Sequence, residues 1–563
     1  MSAQPKGPPP RPLIRKLVWA RRATQALCVL VFLWLLAATA FPGDFRTVTE
    51  RVRLRRPVEI FFELDPLVAL LTLLSRHAVY RGLLLSLIVV GLTVVFGRVF
   101  CGWICPFGTL HQAIGWLFPS RYGKGGRRIA QNKTHPVRQR VKLYLLFAAL
   151  GAAVLGSAVG GLLDPLSVLV RGVALALLPA TQYLFFAVGD LAGATGSRVV
   201  RGASGAVGDL LTRVLWPPHQ LEVHAGWVIG VLFLALLVLN RFVPRFWCRV
   251  LCPLGALLGL LSRFSLFGMR KEHARCTDCN LCLLHCQGAD SPQGGVPWRQ
   301  HECHLCLNCE AACPEGVIHF GLLPERGDTK TRPDLERRTA LGSVAAGALL
   351  IPLLRSSDGY GANFSERRIR PPGALDEPEF LRRCIRCGEC MKVCPNNALH
   401  PALLEAGVEG LWTPVLIPRI GPCEQSCVLC GQVCPTGAIQ HVTEEQRLGI
   451  GGQPLAIGTA FFDRGRCLPW AMGTPCIVCE EHCPTSPKAI WTEPTEVPAR
   501  RPPPDDPNGA PVVTTVPLQR PHLDPSRCIG CGICEHVCPV RDLPAVRVSS
   551  VGESRSKSNA ILL

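Results

Sequence analysis

Twenty-four of the 29 cysteines in this 563-residue chain fall into six runs of four, and that arrangement limits what the chain can fold into more than any other feature. Cys276, Cys279, Cys282 and Cys286 form one C-x2-C-x2-C-x3-C run. A short Pro/Gly spacer later, Cys303, Cys306, Cys309 and Cys313 form a second, closed by Pro314. In a pair of such runs, three cysteines of one and the fourth of the other hold each [4Fe-4S] cube. One cluster is therefore expected on Cys276, Cys279, Cys282 and Cys313, and another on Cys303, Cys306, Cys309 and Cys286. Zinc sites instead use two cysteine pairs separated by a longer loop. A disulfide framework belongs to small secreted domains, not to a chain of this length.

The same four-cysteine grammar recurs downstream, with a longer first gap in the second of these runs. Cys384, Cys387, Cys390 and Cys394 form one run, and Cys423, Cys427, Cys430 and Cys434 another. Cys467, Cys476, Cys479 and Cys483 have a stretched first gap, and Cys528, Cys531, Cys534 and Cys538 complete the set. Six runs predict six [4Fe-4S] clusters; spacing does not say which of the last four runs pair. Cys28, Cys101, Cys105, Cys248 and Cys252 remain.

A mean hydropathy of +0.25 with 48% hydrophobic residues points to a membrane protein. The formal charge of +19 would suit nucleic acid, but six cubes at roughly −2 each offset about two thirds of it. Much of the remainder flanks apolar segments, and no basic stripe is interleaved with aromatics, so no nucleic-acid partner is expected.

Residues 1–22 read as a disordered basic leader. Residues 23–262 read as a membrane domain with four spans, at about 23–41, 82–100, 143–163 and 226–243. Basic residues between the second and third spans, and after the fourth, put those loops in the cytoplasm. The membrane half reads as one pattern written twice. Each copy has a span, then Asp-Pro-Leu opening an apolar stretch (Asp65, Asp164), then a span, then Cys-x3-Cys-Pro (Cys101 and Cys105; Cys248 and Cys252). If the copies share a topology, residues 166–188 form a surface or re-entrant helix, and both cysteine pairs end on the cytoplasmic face. On an α-helix the i, i+4 spacing puts both sulfurs of a pair on one face, with Pro stopping the helix just past them. Four such thiols are candidates for a metal or redox site, or are small buried packing residues. Asp65 and Asp164 are candidate proton acceptors at the outer face, or helix N-caps before Pro at the first helical position. Cys28 reads as packing.

Residues 270–325 form the two-cluster module. Arg337 and Arg338 then precede a short apolar run inside residues 332–356, which reads as a twin-arginine-like export signal retained as an anchor. Residues 375–545 carry the last four runs and residues 549–563 a disordered tail. The fold class is thus an α-helical membrane domain with a duplicated two-span repeat, plus α+β ferredoxin-like modules.

On these motifs, residues 1 to about 325 resemble the NapH-type membrane subunit of a quinol-oxidising module serving periplasmic nitrate reductase. Residues from about 332 to 545 resemble its NapG-type four-cluster ferredoxin partner, and the methylamine-utilisation ferredoxins and related membrane polyferredoxins are similar. The resemblance implies a fusion in the bacterial inner membrane, with residues 270–325 cytoplasmic and 375–545 periplasmic. It implies quinol as donor, and the quinone pool and a periplasmic cytochrome or reductase as partners; the sequence itself carries no molybdenum, nucleotide or C-x-x-C-H haem signature, so a substrate-reducing centre is expected on a partner. The alternative it leaves is an accessory protein that reduces or matures a metal centre on another oxidoreductase.

Overall fold

The structure, a computed structural model, describes residues 12–39, 59–78, 81–118, 136–193, 198–214, 216, 221–288, 298–322, 336–357, 368–501, 510 and 512–556. Among these, three helices are long and apolar enough to cross a membrane: Pro12–Ala38, Pro165–Leu191 and Arg337–Arg355. The first of the four expected spans is among them, and the second and fourth hold the shorter apolar helices Gly82–Phe96 and Gly226–Arg241. The first helix begins at Pro12, so the second half of the supposed disordered leader is helical. The helices in the second and fourth expected spans are short. Ser86–Phe96 is stopped by Gly97 at φ 78°, and Gly226–Val238 runs into a 3-10 turn at Leu239–Arg241. Pro136–Val154 spends its first turns on Arg138, Arg140 and Lys142. The stretch expected to lie on the surface is one continuous helical rod from Pro165 to Leu191 with a π-helical turn at Val173–Leu177.

Helix Arg337–Ser357 packs along Pro136–Val154 through glycines. A Cβ on Gly347 would lie 2.0 Å from the carbonyl of Ala148, and one on Gly151 2.2 Å from that of Val344. Small residues let two backbones approach this closely. The pair is tied at both ends, by Arg140 to Glu336 at 3.1 Å and by Arg355 to the carbonyl of Gly156 at 3.1 Å. The Arg337–Arg355 stretch of 19 residues corresponds to about 28 Å of helix, close to a bilayer's hydrocarbon thickness.

The two-cluster module is framed by strands β1 (Phe267–Lys271) and β2 (Ile318–Leu322), antiparallel with Phe267 opposite Leu322. It sits at the bundle end where Lys142 meets Glu302 at 2.5 Å and Trp103 donates to the carbonyl of Leu305. The four-run domain sits at the other end, where the backbone N–H of Ala158 donates to the carbonyl of Leu381. Its strands are β3 (Leu399–Pro401), β4 (Pro414–Leu416), β5 (Thr459–Phe462), β6 (Ile490–Arg501), β7 (Val512–Leu523) and β8 (Val546–Ser549). β3 pairs with β4, β5 with β8 and β6 with β7. The β6–β7 ribbon carries Pro494, Pro498, Pro517 and Pro521; in a two-stranded ribbon both strands are edges, so a missing N–H can face outward.

The expected disordered tail is packed as far as Ser556. Arg555 reaches Glu377 at 3.1 Å and the carbonyl of Leu375 at 2.9 Å. Glu377 is also gripped by Arg370 at 2.5 Å; burial alone would raise its carboxyl, but Arg370, Arg368 and Arg555 outweigh it and hold it at about 2. Residues 557–563 lie outside the described residues.

Candidate metal centres

Three cavities have walls built from both members of a pair of runs. One is lined by Cys276, Cys279, Cys282 and Cys313. Another is lined by Cys423, Cys427 and Cys430 together with Cys394. The third is lined by Cys528, Cys531 and Cys534 together with Cys483. Each takes three cysteines from one run and the fourth from its partner, the arrangement a cubane's four corners require. Cys390 lies within electrostatic range of Cys387, Cys384 and Cys434, and Cys467 within range of Cys476 and Cys538. The pairing that spacing left open is thus visible in the fold: the run at 384–394 faces that at 423–434, and the run at 467–483 faces that at 528–538.

Local backbone explains how the tight runs turn. In the four runs that begin C-x2-C, the residues just before and just after the second cysteine are left-handed. They are Asp278 and Asn280, Leu305 and Leu307, Arg386 and Gly388, and Gly530 and Gly532. The two runs with longer first gaps do not need this: Val428 and Ile477, after their second cysteines, have φ −130° and −125°. Left-handed leucines are costly, and such strain persists where surrounding structure enforces it. Backbone N–H groups donate to sulfur at Cys394 (Ala398, 3.2 Å), Cys434 (Ile439, 3.4 Å) and Cys528 (Ala460, 3.5 Å). Burial pushes the thiols up, Cys394 to about 11 and Cys479 and Cys531 to about 12. Iron binding, which needs thiolates, would therefore release these protons.

Each Cys-x3-Cys-Pro pair departs from the expected α-helical geometry in the same way. The first cysteine sits in a π-helical turn, Phe100–Ile104 or Trp247–Leu251, closed by the N–H of Cys105 to Phe100 and of Cys252 to Trp247. The second cysteine is the N-cap of the next helix, Pro106–Leu117 or Pro253–Ser262, with its sulfur accepting from Gly108 or Gly255. The prolines open these helices instead of ending the previous ones, because position N1 needs no N–H. All four thiols are buried. They lie within electrostatic range of one another, Cys105 of Cys248 and Cys101, and Cys252 of Cys248, Cys101 and Cys105. Cys28 is a half-buried residue of the first helix.

Two family models, each described as a 4Fe-4S binding domain, match the chain: one at residues 78–125, 224–272 and 428–450, the other at 381–400 and 521–541. The ferredoxin-type protein NapG of Escherichia coli is 33% identical over 229 residues, covering 40% of this chain and 86% of that protein. The methylamine utilization ferredoxin-type protein MauM of Paracoccus denitrificans is 32% identical over 226 residues, 38% of this chain and 88% of that one. MauM of Methylorubrum extorquens is 35% identical over 184 residues, 32% and 72%. The chain belongs to the NapG/MauM ferredoxin-type family. No solved structure matches it.

The NapG-type domain is seated on the bundle by its first run. Arg171 donates to the carbonyl of Arg386 at 2.5 Å and to that of Leu162 at 2.7 Å, and its guanidinium lies 5.0 Å over the Trp412 ring. A Cβ on Gly161 would meet Ile385, the residue after Cys384. Beneath this contact Asp65 and Asp164 are fully buried together. Both are N-caps: Asp65 accepts from Leu67 at 2.7 Å and Asp164 from Ser167 at 2.7 Å. The capping reading is therefore observed, but it uses only part of each carboxyl. Asp65 Oδ2 and Asp164 Oδ1 receive no hydrogen bond from other donors. The two carboxyls lie within electrostatic range of each other.

Proposed function

We propose that this chain is a membrane-bound electron conduit, a NapH-type membrane half fused to the NapG-type domain, that takes electrons from a quinol and delivers them to an acceptor on the side of residues 375–545. In this reading those residues face the periplasm and residues 270–325 the cytoplasm, as the basic loops favour. The observation that carries it is the stacking at one bundle end. There the Cys384–Cys387 loop lies against Arg171, above a buried pair of carboxyls. An apolar cavity lined by Pro66, Leu70, Leu73, Leu87, Val90 and Leu261 opens beside the helix that Asp65 caps, and suits a lipid-soluble donor.

The ligands of the six expected clusters would be the cysteines of the paired runs; when bound, the clusters supply one-electron oxidation and reduction. The protein's own residues handle the rest. A quinol becomes a quinone by losing two electrons and two protons. Asp65 and Asp164, two carboxylates buried side by side, could take the two protons, one each. Arg171 holds the first run of the NapG-type domain over this site. The duplicated two-span repeat would place the two Asp-Pro-Leu segments at this end and the two cysteine pairs at the other.

The test is anaerobic addition of a menaquinol or ubiquinol analogue to the full chain in detergent, with cluster reduction followed by visible bleaching and low-temperature EPR. Fast reduction is expected. Reduction by dithionite but by neither quinol would overturn the assignment of donor.

A further inference from the structure

We infer that Cys101, Cys105, Cys248 and Cys252 together hold a seventh [4Fe-4S] cluster, with two ligands drawn from each Cys-x3-Cys-Pro pair. The matched segments 78–125 and 224–272 contain only two cysteines apiece, half of what one cubane needs. The fold supplies the other half by bringing the two π-helical turns together. Arg98 marks the meeting point: its guanidinium lies 3.9 Å from the Cys101 sulfur and 2.7 Å from where a Cβ on Gly255 would sit, and that Cβ position is itself 3.4 Å from the Cys252 sulfur.

Charge identifies what the thiols hold. Arg98, Lys142 and Arg245 are almost completely buried around them. Among the described residues, the carboxylate paired with these cations is Glu302, at 3.6 Å from Arg98 and 2.5 Å from Lys142. Arg245 instead meets neutral partners, His304 at 3.0 Å and Gln112 at 2.9 Å. Buried positive charge here exceeds the one carboxylate, which favours an anion on the thiols. An oxidised cubane on four thiolates carries about −2 and one electron makes it about −3, so the same cations also favour its reduction.

A single zinc ion on four thiolates would also carry about −2, and metal analysis separates the two. Cys105 and Cys252 accept N–H···S hydrogen bonds from Gly108 at 3.4 Å and Gly255 at 3.2 Å, like those at Cys394 and Cys434 in the ferredoxin runs. The site also adjoins a cluster run. A Cβ on Gly102 would lie 2.0 Å from the carbonyl of His304, between Cys303 and Cys306. The cluster's presence does not depend on quinol being the donor.

The experiment is iron and acid-labile sulfide analysis of the anaerobically purified full chain, with redox-titrated EPR. Seven cubanes predict about 28 irons and 28 sulfides per chain, against about 24 of each for six. Cys101→Ser with Cys248→Ser should remove about four of each and one EPR signal, leaving the rest. Arg98→Gln should keep the iron and lower the potential of that one signal, because a positive charge beside it is lost. About 24 irons in the unaltered chain, with EPR indifferent to all three substitutions, would overturn the inference. So would one zinc per chain that disappears with the cysteines.

Discussion

At one end of the helical bundle four thiols lie among Arg98, Lys142 and Arg245; at the other, two carboxyls lie together with Arg171 close by. Both ends are buried polar sites in an apolar body, yet they are built for different particles. Thiols among fixed cations suit a centre whose negative charge grows when it is reduced. A pair of buried carboxyls suits the uptake and release of protons. The soluble modules divide the same way. The two-cluster module is pinned beside the thiols, through Trp103 and Glu302, and the NapG-type domain above the carboxyls, through Arg171. What separates them is about the length of the helix pair Pro136–Val154 and Arg337–Ser357.

Replacing Asp65 and Asp164 together by Asn tests the division most severely. Proton transfer to a positioned group contributes about 10²–10⁴-fold, so quinol-driven cluster reduction should fall by about 100-fold or more. Dithionite reduction and iron content should stay unchanged; equal loss of both would mean that the pair is structural only.

Next in size is Glu377→Gln within the NapG-type domain. Removing one partner of a buried ion network costs about 3–5 kcal/mol, because Arg370 and Arg555 stay buried without their counter-charge. This should appear as a lowered thermal midpoint by circular dichroism at pH 7. The folded carboxyl titrates at about 2, below its ordinary value. Its stabilisation is therefore complete above about pH 4.5 and fades as the pH falls toward 2, so the gap between the two proteins should narrow over that window.

Arg171→Leu removes two hydrogen bonds to carbonyls across and beneath the docking face and should cost about 2–3 kcal/mol. Limited proteolysis should then cut faster between the bundle and the NapG-type domain. A cleavage pattern identical to the unaltered chain's would mean that the Arg355–Glu409 ion pair, at 2.9 Å, and the Ala158–Leu381 contact suffice for docking. The smallest effect is expected for Gly388→Ala. Gly388 has φ 92°, and its Cβ would meet Arg171 and Leu175 at 3.3 Å, so a cost of about 1 kcal/mol is expected. Gly532→Ala, at the matching place in another run, puts its Cβ 2.6 Å from Pro418 and should leave the docking face intact.

The cysteine runs were legible because ligand spacing is a local property: Cys276 to Cys286 declare themselves within eleven residues. The partners of the last four runs were not, since only tertiary contact brings Cys434 to Cys390 or Cys538 to Cys467. A Cys-x3-Cys spacing reads as one α-helical turn, and nothing in it announces the π-helical turn that precedes Pro106 or Pro253. The role of Asp65 and Asp164 as caps was readable from the following prolines; their burial side by side was not. The spans were the least legible, because Gly97 and the basic first turns of Pro136–Val154 shorten apolar stretches that composition alone runs together. The segment after Val548 looked like a polar tail because Arg555 is ordinary until Glu377, far away in sequence, needs a third cation.

Helix Arg337–Ser357 begins beside Arg140 and ends beside Glu409, so one covalent segment joins the levels of the two modules. Were the halves separate proteins, each delivery would wait on diffusion and on the abundance of both. Joined, the proposed hand-over becomes a unimolecular event at an effective concentration set by the chain itself. Its rate should then be indifferent to dilution, and no surplus of either half can compete for the other.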